Sequence, residues 1–147
     1  LNGQLVNTVI QVTSDPPRIG VIINKKNLTH EFIMKSRVFA ACVVEENVSL
    51  QFLGPFGFRS GRDIDKFKGL AFSTGKNGCP ILNDHILSWA EASVINDVDV
   101  GTHTIFIGDV VNTGFFKEGN PLTYTYYHHY LKGKTSANAP TYNSVTK

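Results

Sequence analysis

Neither sign of charge dominates this chain. Fourteen Lys and Arg stand against twelve Asp and Glu, a net charge of +2 with the five histidines neutral. That balance, and the lack of any basic run with interleaved aromatics, excludes a nucleic-acid face. No apolar run approaches the roughly 18 residues a membrane span requires. The first residues lack the charged-then-apolar pattern of a secretory leader. Cysteine is scarce: Cys42 and Cys79 form neither a C-x-x-C nor a zinc spacing, so no metal site is expected. They read as reduced thiols, and the chain as a cytoplasmic protein. There is no Walker loop, no G-x-G-x-x-G and no G-x-S-x-G elbow.

What remains is an ordinary globular composition, 41% hydrophobic and 18% charged over 147 residues, enough for one domain with its own core. Residues 5–14 are rich in Val, Ile and Thr and read as a strand. Asn7, Thr8, Gln11, Thr13 and Ser14 make it polar for a core strand. Pro16 and Pro17 cannot donate to a ladder and are expected to stop it. Residues 18–24 resume as a short apolar strand. Leu28, Phe32 and Ile33 give residues 28–36 a helical spacing, with Asn27 or Thr29 as cap. Residues 38–44 form a continuous apolar strand, and residues 48–53 a helical segment that Gly54-Pro55 should end.

Residues 64–67 read as one helical turn, residues 70–73 as a strand, and Pro80 marks the edge of another segment. Residues 86–98 alternate in part: Val and Ile favour a strand, whereas Ala and Glu leave a helix open. Residues 103–111 carry the clearest strand pattern, and Gly108 within them predicts a bulge or a close backbone approach. Asn112-Thr113-Gly114 should turn the chain. Residues 122–131 are aromatic and His-rich; in a strand, His128 and His129 would face opposite sides. Residues 132–147 are polar, expected to be extended and ordered only where they dock. This rhythm gives an all-β antiparallel fold with short helices, sandwich or barrel.

Two stretches hold components of a ligand site. A helix start is a ready anion site, and the one at Asn27 adjoins the polar strand, with Asn24, Lys25 and Thr29 beside it. The loop FGFRSGRD brings Phe58, Arg59, Ser60, Gly61 and Arg62 together, with Lys66 shortly after. Free backbone N–H groups, a hydroxyl and guanidinium forks are the parts of a phosphate clamp. On these residues alone, an ordinary hairpin, a capped helix and a solvated arginine loop account for both stretches as well.

The order NG-x-x-x-NT-x-x-x-VTS-x-PP, followed by a strand and N-K-x-N-x-TH, resembles the FMN-binding split-barrel flavin reductases. It is most similar to the branch of NAD(P)H-dependent ferric and flavin reductases, which includes flavoredoxin-like proteins and the flavin domain of some rubredoxin fusions. The likeness continues through FGFRSGRDIDKF, DVGTHTIFIGDVV, PLTYTYYHHYLKGKT and APTY. It implies a Greek-key split β-barrel over residues 1–131, a polar tail over residues 132–147 and a strand at residues 86–98. It also implies another strand upstream, which the Asn2-Gly3 hairpin signal would equally need.

The resemblance further implies FMN as cofactor and NADH or NADPH as reductant. Asn7, Thr8, Val12, Thr13 and Ser14 would line the ring and its polar edge. Asn24, Lys25, Asn27 and Thr29 would reach the ribityl chain and phosphate. Phe58, Arg59, Ser60, Gly61, Arg62 and Lys66 would close the phosphate side, and Tyr126 would stand at the flavin mouth. His103 follows Gly101-Thr102, where the common family motif is Gly-Asp-His, and would stand near the flavin face on which nicotinamide stacks. The implied activity is hydride transfer from NAD(P)H to flavin and on to free flavin or ferric iron. The alternative is an FMN electron carrier coupled to a redox protein such as rubredoxin. A homodimer is implied as well.

Overall fold

The computed structural model describes residues 1–143; the last four residues of the expected tail lie outside the described residues. Among the described residues, seven strands and three helices follow one another: β1 (Val9–Ser14), β2 (Pro17–Asn24), α1 (Leu28–Ser36), β3 (Val38–Val44), α2 (Leu50–Phe58), β4 (Phe72–Thr74), β5 (Pro80–Leu82), β6 (Ile86–Asp99), β7 (His103–Phe115) and α3 (Tyr124–His129). The five long strands form one antiparallel sheet in the order β1-β2-β7-β6-β3, and β4 pairs only with β5. The fold is mostly β with short helices, and among the described residues the large sheet keeps two free edges, β1 and β3, rather than closing into a barrel.

Alternation places every second residue of the central strands on one face. Val21 and Ile23 of β2, Phe106 of β7, Ala92 of β6 and Phe39 of β3 meet there, and Ile33 of α1 closes over them. Each large apolar side chain so buried contributes about 1.5–3 kcal/mol. A second cluster of Val48, Leu53 and Tyr127 joins α2 to α3, with Leu5 and Leu122 packed against it. His30 sits at the rim of the first cluster, 5.4 Å from the Phe106 ring, and its Nε2 meets Thr104 Oγ1 at 2.9 Å. Burial, and then the nearby Lys25 charge, lower its pKa.

Gly108 meets the expectation of a close approach, and the bulge lies opposite it on β6. A methyl there would fall 2.9 Å from Ala92 Cβ and 3.1 Å from Phe39 Cε1. Beside it the β6–β7 register shifts between Val94 and Asn96, which leaves Ile95 as the extra residue. Gly108→Ala is expected to cost about 1–3 kcal/mol through overpacking, read as a lower urea midpoint with unchanged slope.

Four local expectations are corrected and one is narrowed. The prolines do end β1 at Ser14, but only Pro16 lies in the turn: Pro17 pairs with Ser14 as the first residue of β2, where a missing N–H is tolerated. Helix α2 runs through Gly54 and Pro55 to Phe58. Ser49 Oγ caps it by accepting from Phe52 N, and burial of Leu53 and Phe56 outweighs the local breakers. Residues 64–67 make turns rather than a helical turn. Strand β7 continues past Asn112-Thr113-Gly114 to Phe115, since β6 supplies paired partners Glu91, Ala90 and Trp89. Residues 124–129 are helical, with Thr123 Oγ1 accepting from Tyr126 N, so the strand geometry considered for His128 and His129 does not apply. No described helix is long and apolar enough to cross a membrane.

Candidate functional site

Between the start of α1, the end of α2 and the segment after α3 lies a cleft of about 490 Å³, within the usual size of a cofactor site. Asn24 opens it. Its Oδ1 accepts from Lys26 N at 2.9 Å, and its main-chain O accepts from Asn27 N, which turns the chain into α1. Asn27 stands at the N-cap, yet its side chain makes no capping bond. Instead Nδ2 donates to Gln4 Oε1 at 3.1 Å, and Oδ1 accepts from Asn138 Nδ2 at 2.9 Å. Thr29 Oγ1 accepts from Asn2 Nδ2 at 2.8 Å. The first α1 turn is thus tied to the N-terminal segment on one side and the C-terminal segment on the other.

The loop after α2 supplies the opposite wall, with Phe58, Arg59, Ser60 and Gly61. Gly61 passes so close to Asn2 that a methyl would fall 2.2 Å from Asn2 Oδ1. That oxygen is buried with no hydrogen-bond partner, so it is an acceptor in want of a donor. Lys66 reaches in from beneath. It is 6% exposed, and its Nζ donates to Gly3 O at 2.8 Å. Burial lowers its pKa, and among the described ion pairs none involves it. Lys26, Arg59, Lys66 and Lys134 line the cleft, and among the described residues no carboxylate does.

The expected residues divide. Asn7, Asn24, Asn27, Thr29, Phe58, Arg59, Ser60, Gly61 and Lys66 line the cleft; Thr8, Val12, Thr13, Ser14, Lys25, Arg62, Tyr126 and His103 do not. The Thr8 hydroxyl donates to Ile22 O, and that of Thr13 to Pro16 O. Val12, Thr13 and Ser14 belong to the outer part of the β1–β2 hairpin. Lys25 pairs with Asp99, and Arg62 with Glu31. Tyr126 stacks on Tyr130 with centroids 4.9 Å apart, whereas Tyr124 and Tyr127 line the cleft.

His103 stands one layer behind. Its Nδ1 meets Thr102 Oγ1 at 2.8 Å, and its Nε2 meets Asn138 O at 3.2 Å. A carbonyl only accepts, so Nε2 carries the proton.

Sequence reasoning missed Gln4, Lys26, Tyr124, His128 and most of residues 134–140, all at the cleft. The only signal for the last of these was the continuation of the resemblance into KGKT and APTY.

The flavin reductase like domain matches residues 1–133. The chain belongs to that family. It is 50% identical over 141 residues to the high molecular weight rubredoxin of Moorella thermoacetica, covering 96% of this chain and 62% of that protein. It is 42% identical to the ferric-chelate reductase (NAD(P)H) of Archaeoglobus fulgidus, covering 95% of this chain and 83% of that one. Among solved structures, an FMN-binding protein from Thermus thermophilus with bound p-hydroxybenzaldehyde is 29% identical. It superposes with a TM-score of 0.68 over 77% of this chain and 64% of that one. The flavin reductase like domain therefore accounts for nearly all of the chain, which spans less than two thirds of the Moorella protein's length.

Proposed function

We propose that this flavin reductase like domain binds FMN and oxidises NADH or NADPH, passing the electrons to free flavin or a ferric chelate. The observation that carries the reading is Lys66, a buried ammonium that, among the described residues, has no carboxylate partner and stands in a cleft lined by cations and no acid. An anion is the ligand that offsets its desolvation. A flavin phosphate fits beside Lys66, Arg59, Ser60 and Gly61, where helix-start and loop N–H groups add to the cations. The orphan Asn2 Oδ1 suits a ribityl hydroxyl, which donates. Leu5, Val9, Ile22 and Phe58 offer apolar contact to the ring. When bound, FMN supplies the electron-accepting centre, and the protein holds and orients it. The motif resemblance puts His103 on the nicotinamide side, where it reaches the cleft wall through its bond to Asn138 O.

The same reading takes the large sheet as part of a split Greek-key barrel. It takes the molecule as a homodimer: Val9, Ile10 and Val12 are exposed on the free β1 edge, and Val9 also lines the cleft.

A second reading, an FMN electron carrier serving a rubredoxin-like partner, is favoured by the 50% identity to a protein named for rubredoxin. Steady-state oxidation of NADH and NADPH with free FMN or ferric citrate separates the two. Turnover with either acceptor is expected. Turnover only when a rubredoxin is added would replace the first reading with the second, and failure of the purified protein to take up FMN would end both.

A further inference from the structure

Most of residues 134–140 line one side of the cleft, and hydrogen bonds tie residues 134–141 to α3, to the N-terminal segment and to the α1 start. On the α3 side, Lys134 O accepts from Tyr127 Oη at 3.0 Å, and Thr135 Oγ1 lies 3.3 Å from His128 Nε2. On the N-terminal side, Thr141 Oγ1 accepts from Asn7 Nδ2 at 3.1 Å. In the middle, Asn138 makes two bonds to different walls: Nδ2 donates to Asn27 Oδ1 at the α1 start, and O accepts from His103 Nε2 on β7. Lys134, Ser136, Asn138 and Pro140 line the cavity from this side.

A wall made of one chain segment, held by side-chain hydrogen bonds and not by a strand ladder, opens at far lower cost than the sheet. The cleft is therefore bounded by the α1 start, by the loop after α2 and by one segment that can be unfastened.

We propose that residues 134–141 are a retaining strap of the flavin site, with Asn138 as its latch. The strap rests on the FMN reading above and deepens it: it makes the flavin a resident group rather than a released product. Asn138 joins the α1 start, where the phosphate end is placed, to His103 on the reactive side. Loss of its side chain removes the fastening to the α1 start, while the main-chain bond to His103 and the bonds to Tyr127 and Asn7 remain. Flavin then leaves without the whole segment having to detach.

The test uses the full-length protein loaded with FMN, diluted, and followed by the rise of free-flavin fluorescence. Asn138→Ala is expected to release FMN about tenfold faster than wild type, in line with loss of one side-chain hydrogen bond. Thr141→Val, which breaks the fastening to Asn7, is expected to act in the same direction. Hydrogen exchange on the wild type supplies a readout that needs no variant: FMN should slow exchange of the amides in residues 134–141. Equal release rates in both variants and wild type, or unchanged exchange in the strap, would overturn the strap alone. A wild type that takes up no FMN overturns the functional reading and the strap with it.

Discussion

Lys66→Met is expected to weaken FMN binding roughly 30-fold, about 2 kcal/mol, while leaving riboflavin binding unchanged. Lys66 is 6% exposed, and its ammonium donates to Gly3 O in a cleft lined by no carboxylate among the described residues. A charge-assisted bond to phosphate in such surroundings is stronger than one at the surface. Riboflavin has the ring and ribityl chain but no phosphate, so it reports whether the rest of the site survives.

The sign of the pH effect follows from burial. Burial lowers the Lys66 pKa, so the folded state disfavours the ammonium, and that cost is relieved as pH rises from the folded value towards the ordinary lysine value. Removing the charge at neutral pH removes this cost along with the Gly3 bond. The variant is therefore expected to unfold at the same urea concentration or a higher one. In wild type, FMN affinity should fall as pH climbs through the lowered Lys66 value; in Lys66→Met it should not. Isothermal titration with FMN and with riboflavin across alkaline pH reads both effects. Equal loss of the two ligands would mean that Lys66 shapes the cleft instead of meeting the phosphate.

Glu91→Gln is expected to destabilise the fold by about 2–3 kcal/mol, the cost of disrupting a buried hydrogen-bond network. The Glu91 side chain is fully buried. Its Oε2 accepts from Lys76 N at 3.0 Å and Asn112 Nδ2 at 2.8 Å, and its Oε1 from Asn77 N at 3.0 Å. The site is built for an acceptor on both oxygens, so an amide nitrogen must face one of these donors. The turn cannot yield easily, because Gly75 lies so close that a methyl would fall 2.0 Å from Oε1.

Burial tends to raise the Glu91 pKa, but the bonds from Asn112, Asn77 and Lys76 outweigh it, and the net value is lowered. A lowered folded pKa means that the stabilisation is fully present above the ordinary glutamate value, near 4.3. It is lost as pH falls through the folded value. Urea unfolding from pH 7 down to pH 3 should show wild type losing this increment and Glu91→Gln lacking it. A variant with wild-type midpoints throughout would show that the turn is held by other contacts.

How much of this was legible beforehand depended on whether the signal was local. The α1 and β3 boundaries follow from apolar spacing and match the structure residue for residue. So does the tight packing at Gly108, which only a small residue permits. The continuation of α2 through Gly54-Pro55 was not legible, because the force that keeps it helical is burial of Leu53 and Phe56 against partners distant in sequence. The length of β7 was set in the same way, by the β6 residues opposite its Asn-Thr-Gly. Glu91 gave no sign of its role, since its donors come from residues 76, 77 and 112.

The sequence by itself determined the antiparallel β character, the family, and the two loops that face each other across the cleft, because apolar period, glycine and proline placement and motif order are properties of the chain alone. Only the tertiary structure decided which cations are free. Lys25 and Arg62 look like phosphate ligands in one dimension and are paired with Asp99 and Glu31 in three. Lys66, expected on the phosphate side beside them, has no carboxylate partner among the described residues and is buried against Gly3 O. The physical reason is that a charge's partner is set by distance through space, and the sequence fixes only distance along the chain.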